Sequence, residues 1–116
     1  MTAAIYNATI DQGATWTLQV VYKTDAGVPI NLTGYTAALQ VRQNYYDTTA
    51  LISLTSPSGG IVITGATGTI DITMTAQQTG SLDEGFYVYD LEITSGGTVT
   101  RLIQGQFTVS PEVTRV

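Results

Sequence analysis

The 116 residues include no cysteine, no histidine and a single lysine. Without cysteine there is no disulfide, no thiolate zinc site and no thiol nucleophile, and redox chemistry says nothing about compartment. Without histidine the commonest general base, metal ligand and near-neutral pH switch are all missing. Charge is scarce too. Four Lys and Arg residues face nine Asp and Glu, for a net charge of -5. Nucleic-acid binding needs a basic footprint, and this chain has none. No apolar run approaches the ~20 residues of a membrane-spanning helix, so membrane insertion is not expected. The N-terminus MTAAIYNATIDQG shows neither the basic start nor the apolar core of a signal peptide. These absences point away from an enzyme, a metalloprotein, a DNA binder and a membrane protein. The expectation is no catalytic residue, no metal and no cofactor.

What is abundant is threonine, with 21 residues, beside 12 glycines and seven tyrosines. Branched and aromatic side chains suit a pleated, half-buried surface, so Thr, Tyr, Val and Ile together favour strands. Charged residues make up 11% of the chain, against about 25% in ordinary soluble domains. A surface of Thr, Gln and Ser is polar yet offers little electrostatic repulsion between neighbours. Such a chain is either an ordinary β domain with hydroxyl-rich faces or a subunit whose surface is covered by others.

Period-two alternation runs through most of the sequence. Ala3–Thr9 reads as a short first strand. Trp16, Leu18, Val20 and Tyr22 share one face of the next, which places Trp16 in the core with Leu18 and Val20. Val28-Pro29-Ile30 is an edge or a bend, because Pro29 cannot donate to a ladder. Asn31-Leu32-Thr33-Gly34-Tyr35 is a compact corner. Ala37, Leu39 and Val41 point inward in the strand that follows, with Gln40 and Arg42 outward. Leu51–Thr55 and Ile61–Thr64 are further strands. Ile70, Ile72 and Met74 face in, as do Tyr87, Tyr89, Leu91 and Ile93, while Val88, Asp90 and Glu92 face out. Ala76–Leu82 is the single helix candidate, with Thr75 as its cap. Gly96-Gly97 marks a two-residue hairpin turn, and Gly105 marks a bulge or a close approach by a neighbour.

Seven to nine short strands at spacings of about 8–12 residues indicate an all-β, antiparallel, immunoglobulin-like β-sandwich with one short helical turn. It occupies residues 1–110 as a single domain, with 111–116 as a C-terminal tail. The Cys…Trp…Cys pattern of antibody domains is missing.

Candidate sites are few. Asp83, Glu84, Asp90 and Glu92 form the densest acidic cluster. Asp90 and Glu92 fall on one strand face, roughly 6–7 Å apart by the strand rise. Paired carboxylates can serve glycoside hydrolysis, but alternating outward acids are also what a solvated strand presents, and no loop has calcium-ligand spacing. Tyr45-Tyr46-Asp47 is an exposed aromatic loop, a pattern enriched at interfaces. Arg101 lies on the hairpin partner of the strand carrying Asp90 and Glu92, so a cross-strand pair is its plain role and an intersubunit anchor the sharper one. Arg115 lies in the tail, within reach of a partner's carboxylate. Tyr45, Tyr46, Arg101 and Arg115 are therefore the candidate interface residues. Asn7-Ala8-Thr9 and Asn31-Leu32-Thr33 match the glycosylation pattern, as a Thr-rich chain does by chance.

Three segments together carry a resemblance: DAGVPINLTGYTAALQVR (Asp25–Arg42), GTIDITMTAQQTGSL (Gly68–Leu82) and GFYVYDLEITSGGTVTRLIQGQFTVSPEVTR (Gly85–Arg115). The D-x-G-x-P-I-N-L-T-G-Y-T corner is similar to that of N-terminal Ig-like domains of baseplate and tail-fibre proteins of tailed bacteriophages. The ending Y-D-L-E…T-R-L-I-Q-G-x-x-T-V-S-P-E-V-T-R resembles short standalone virion proteins of the same phages. The resemblance implies an immunoglobulin-like module in a phage particle, without enzymatic activity, and leaves tail, neck and capsid as its possible places; the tail or baseplate region is the leading expectation. Its partners would be other virion proteins and copies of itself. Two other expectations stand beside this one: a capsid decoration protein, and a module binding host-surface glycans, for which Tyr45-Tyr46 is the loop able to supply an aromatic platform.

Overall fold

The computed structural model describes residues 3–114. Nine strands follow in chain order: β1 (Ala4–Ile5), β2 (Ala8–Asp11), β3 (Trp16–Val21), β4 (Thr36–Arg42), β5 (Ile52–Thr55), β6 (Ile61–Thr64), β7 (Thr69–Met74), β8 (Gly85–Ser95) and β9 (Thr98–Ser110). One short helix, α1 (Ala76–Gly80), joins β7 to β8, and a 3-10 turn at Gly65–Thr67 joins β6 to β7.

The strands form two sheets. The larger runs β1-β9-β8-β4-β5, with β2 continuing along the same edge of β9; the smaller runs β3-β7-β6. With β9, β8, β4 and β5 in the places of immunoglobulin strands G, F, C and C′, and β3, β7 and β6 in those of B, E and D, the connectivity is that of the immunoglobulin sandwich. Pairing is antiparallel except at the N-terminus, where β1 and β2 run parallel to β9. Parallel neighbours need a long connection, and here the whole domain separates the first strand from the last.

The alternation read from the sequence holds wherever both faces are defined. Leu39, Val41, Leu54, Ile61, Ile70, Ile72, Met74, Leu91, Ile93 and Phe107 are at most 1% exposed and form one cluster between the sheets. Trp16 departs from the expectation. It is half-buried, like Leu18 and Val20 beside it, and packs against the cluster rather than within it. The reason is width: β3 is the outer strand of a three-stranded sheet facing a wider one, so its inward side chains lie at the sandwich rim. Even so, Trp16 meets Phe107 edge-on at 5.1 Å between ring centroids, and Phe107 stacks on Tyr89 at 4.2 Å. In antibody domains a disulfide between strands B and F ties the two sheets. Here an aromatic series from β3 through β9 to β8 makes that tie.

Tyr87, at the start of β8, donates its hydroxyl to the Asp83 carbonyl at 2.7 Å. A tyrosine there, bonded to the backbone a few residues upstream, is the tyrosine corner of immunoglobulin-like sandwiches, and Tyr89 stands two residues on, where antibody domains place the second cysteine. The helix is shorter than the expected Ala76–Leu82. Thr75 and Gln78 close a capping box at its start, which satisfies otherwise orphan backbone donors. Buried Thr79 donates to the Ala14 carbonyl at 2.9 Å and accepts from the Gly13 amide at 3.1 Å, fixing α1 to the turn between β2 and β3. At the corner, Asn31 accepts from the Thr33 amide at 2.9 Å and buried Leu32 donates its amide to the Gly65 carbonyl.

Gly96 and Gly97 have φ of 55° and 88°, the pair of positive values that a two-residue turn between right-twisted strands requires. At Gly105 the close neighbour is the chain's own N-terminal segment. A Cβ there would overlap the Tyr6 carbonyl. Between β1 and β2 the ladder is completed by a side chain, since the Gln106 amide donates to Asn7 Oδ1 at 3.0 Å.

Candidate functional site

Strand register places the polar face. Gln40, Asp90 and Gln104 are direct partners on β4, β8 and β9, and form one row across the outer face of the large sheet. The next row along β4 and β8 pairs Arg42 with Val88; on the other side, Ala38, Glu92 and Arg101 form a third. Arg101 reaches this face because of an irregularity. The pairing shifts by one residue between Leu91/Ile103 and Glu92/Arg101, leaving Leu102 as an extra residue on β9. Strict alternation from buried Phe107 and Val109 would turn Arg101 inward. The bulge sends Leu102 into the core instead, at 7% exposure, and Arg101 outward over the two carboxylates.

These side chains surround a hollow of about 250 Å3 lined by Gln40, Arg42, Tyr45, Asp90, Arg101 and Gln104, together with Val88 and Tyr89. Its walls are cross-braced. Arg42 donates to Gln40 Oε1 at 2.6 Å and to the Asp47 carbonyl at 2.8 Å. Arg101 Nε lies 3.3 Å from Asp90 Oδ2 and 3.9 Å from Glu92 Oε2, and its Nη1 donates to Gln104 Oε1 at 3.2 Å. The cross-strand pair expected for Arg101 is thus present, with both carboxylates. Arg101 is half-exposed, so the pair lends geometry rather than much stability.

The loop after β4 is closed by Asp47, whose carboxylate accepts from the Asn44 amide at 3.1 Å. That turn leaves Tyr45 79% and Tyr46 82% exposed. Of the four candidate interface residues, Tyr45 and Arg101 meet at this hollow, Tyr46 projects from the same loop without lining it, and Arg115 lies outside the described residues. Alternation sets Gln40 and Arg42 outward, and no local signal in the sequence marks Gln104. Their convergence depends on pairing between strands far apart in sequence, and no local pattern carries it.

Chemically, the hollow presents amide, carboxylate and guanidinium groups around one phenol ring. Asp90 and Glu92 both face a single guanidinium from the same strand face, an arrangement that accepts hydrogen bonds. Among the described residues, no three acidic side chains gather to hold a metal ion.

A second feature lies at the sandwich rim. Tyr22 donates its amide to the Gly68 carbonyl, continuing the β3–β7 ladder. By the alternation of antiparallel pairs, Thr17, Gln19 and Val21 direct their main-chain groups away from β7, along an edge that pairs with no other described strand. Beside the end of this edge lies an apolar groove of about 300 Å3, lined by Ala4, Val20, Val21, Tyr22, Leu102 and Ile103 with Lys23. Val28–Ile30, expected as an edge or bend, folds back on Lys23 through Pro29. No protein-family model matches this chain, and no curated protein matches it.

Proposed function

We propose that this chain is a non-enzymatic structural protein of a tailed-bacteriophage particle. It joins or decorates tail, baseplate or fibre components through contacts with other virion proteins and with copies of itself. The observation that carries this reading is the outer edge of β3, which pairs with no other described strand. Soluble monomers blunt such edges with charge, often lysine, or with proline. From Trp16 to Val21 this edge has neither, and the chain's one lysine, Lys23, stands beyond its end. An extended segment adding there would gain main-chain hydrogen bonds from Thr17, Gln19 and Val21, and its side chains would fill the neighbouring apolar groove. The low surface charge and the likeness of the Asp25–Arg42 and Gly85–Arg115 segments to phage virion proteins support the same reading. Capsid decoration is the second reading, since such an edge serves on either part of a particle.

The test is a single edge substitution. Thr17→Pro removes one outward donor and leaves the β7 ladder intact. The expected result is a folded, monomeric protein that no longer enters particles or oligomers formed by the unaltered chain. Equal assembly by the variant, or an unaltered chain that stays monomeric beside its virion partners, overturns the proposal. Immunogold labelling on the tail rather than the head separates the first reading from the second.

A further inference from the structure

Beyond assembly, we propose that the hollow on the outer face of the large sheet binds a neutral saccharide. Three features converge there. The first is unused hydrogen-bonding capacity. Gln40 Oε1 is occupied by Arg42 and Gln104 Oε1 by Arg101, while Asp90 Oδ2 faces Arg101 Nε. The two Gln amide NH2 groups and Asp90 Oδ1 make no hydrogen bond among the described residues. Because the three residues sit in register on adjacent strands, donor, acceptor and donor follow one another at about 4.8 Å, the strand spacing. Sugar hydroxyls both donate and accept, so a ring bearing several of them satisfies such a row, where an apolar ligand would strand it.

The second feature is Tyr45. Its ring lines the hollow while being 79% exposed, and it offers an apolar platform at the rim for the C–H face of a pyranose. The third is charge. Arg101 faces Asp90 and Glu92, and Arg42 is held by the Gln40 side-chain and Asp47 main-chain carbonyl oxygens, so both guanidinium groups are already engaged and the hollow does not single out an anionic ligand. The volume of about 250 Å3 lies under the usual range for drug-sized ligands, and suits one sugar ring resting in an open site. A site of this kind binds weakly, with Kd in the millimolar range, and gains avidity when many copies are displayed together. It is complete within one copy of the chain, so its binding does not depend on the edge of β3.

The experiment is ligand titration followed by NMR on the folded full chain, using the methyl glycosides of glucose, galactose, mannose and N-acetylglucosamine, with methyl glucuronide as the charged comparison. At least one neutral glycoside is expected to shift the side-chain amide signals of Gln40 and Gln104. Tyr45→Ala and Gln104→Ala should each weaken binding about tenfold, equivalent to ~1.4 kcal/mol, and Tyr46→Ala should leave it unchanged. The proposal is overturned if no neutral glycoside moves these signals at millimolar concentration, if only the glucuronide binds, or if binding survives both substitutions. The same titration on Thr17→Pro should be normal, which keeps failure of the saccharide site distinguishable from failure of the assembly reading.

Discussion

Tyr89 donates its hydroxyl to the main-chain carbonyl of Tyr6 at 2.6 Å. The contact fastens the irregular stretch between β1 and β2 to the centre of the large sheet. Burial, and secondarily the nearby Tyr6, push the Tyr89 hydroxyl up from 10.0 to about 12. Tyr87 is also raised, by burial first and then by Asp83. The folded state therefore holds protons that the unfolded chain releases above pH 10, so stability is full below that pH and falls as pH rises toward 12. Absorbance titration of the seven tyrosines should show two late-titrating groups. Tyr89→Phe should remove one of them and flatten the loss of stability between about pH 10 and 12.

The aromatic tie between the sheets predicts an order of effects. Phe107 is fully buried and touches both Tyr89 and Trp16, so Phe107→Ala should cost about 3–5 kcal/mol. Trp16 is half-buried, and Trp16→Ala should cost about 2 kcal/mol, in proportion to the area it removes from water. Urea denaturation of both variants checks the order; a larger loss for Trp16 would refute it.

At Gly105 the constraint is steric. Gly105→Ala sets a methyl group against the Tyr6 carbonyl and should cost about 1–3 kcal/mol through overpacking. The damage should be local, with faster amide exchange at residues 4–8 and little change in β4, β5 or β6. A variant as stable as the parent would show that the N-terminal segment shifts freely.

Among the described residues, the C-terminal tail is held to the domain through Glu112, whose carboxylate lies over Gly13. The Glu112 amide donates to Gln12 Oε1 at 3.0 Å. A chain ending at Ser110 should therefore lose only about 1 kcal/mol, the worth of one such bond. The tail carries Arg115, a candidate interface residue from the sequence, so the shortened chain is expected to assemble poorly as well. Melting temperature and particle incorporation are the two measurements, and assembly at the level of the full chain would remove Arg115 from the candidate interface.

Alternation along the chain carries most strands, their inward faces and the sandwich class, but it reads Ala3–Thr9 as one strand where the fold has β1 and β2. Alternation in β4, β7 and β8, the two-glycine turn before β9 and the Thr75 cap are local signals, set by side-chain direction along a few residues of chain. Tertiary structure alone decided what those faces meet. The parallel pairing of β1 and β2 with β9 joins opposite ends of the chain. The half-burial of Trp16 follows from the unequal widths of two sheets. The bulge at Leu102 turns Arg101 to the outer face, and register across three strands aligns Gln40, Asp90 and Gln104. Each depends on pairing between residues tens of positions apart, which alternation along one strand does not encode.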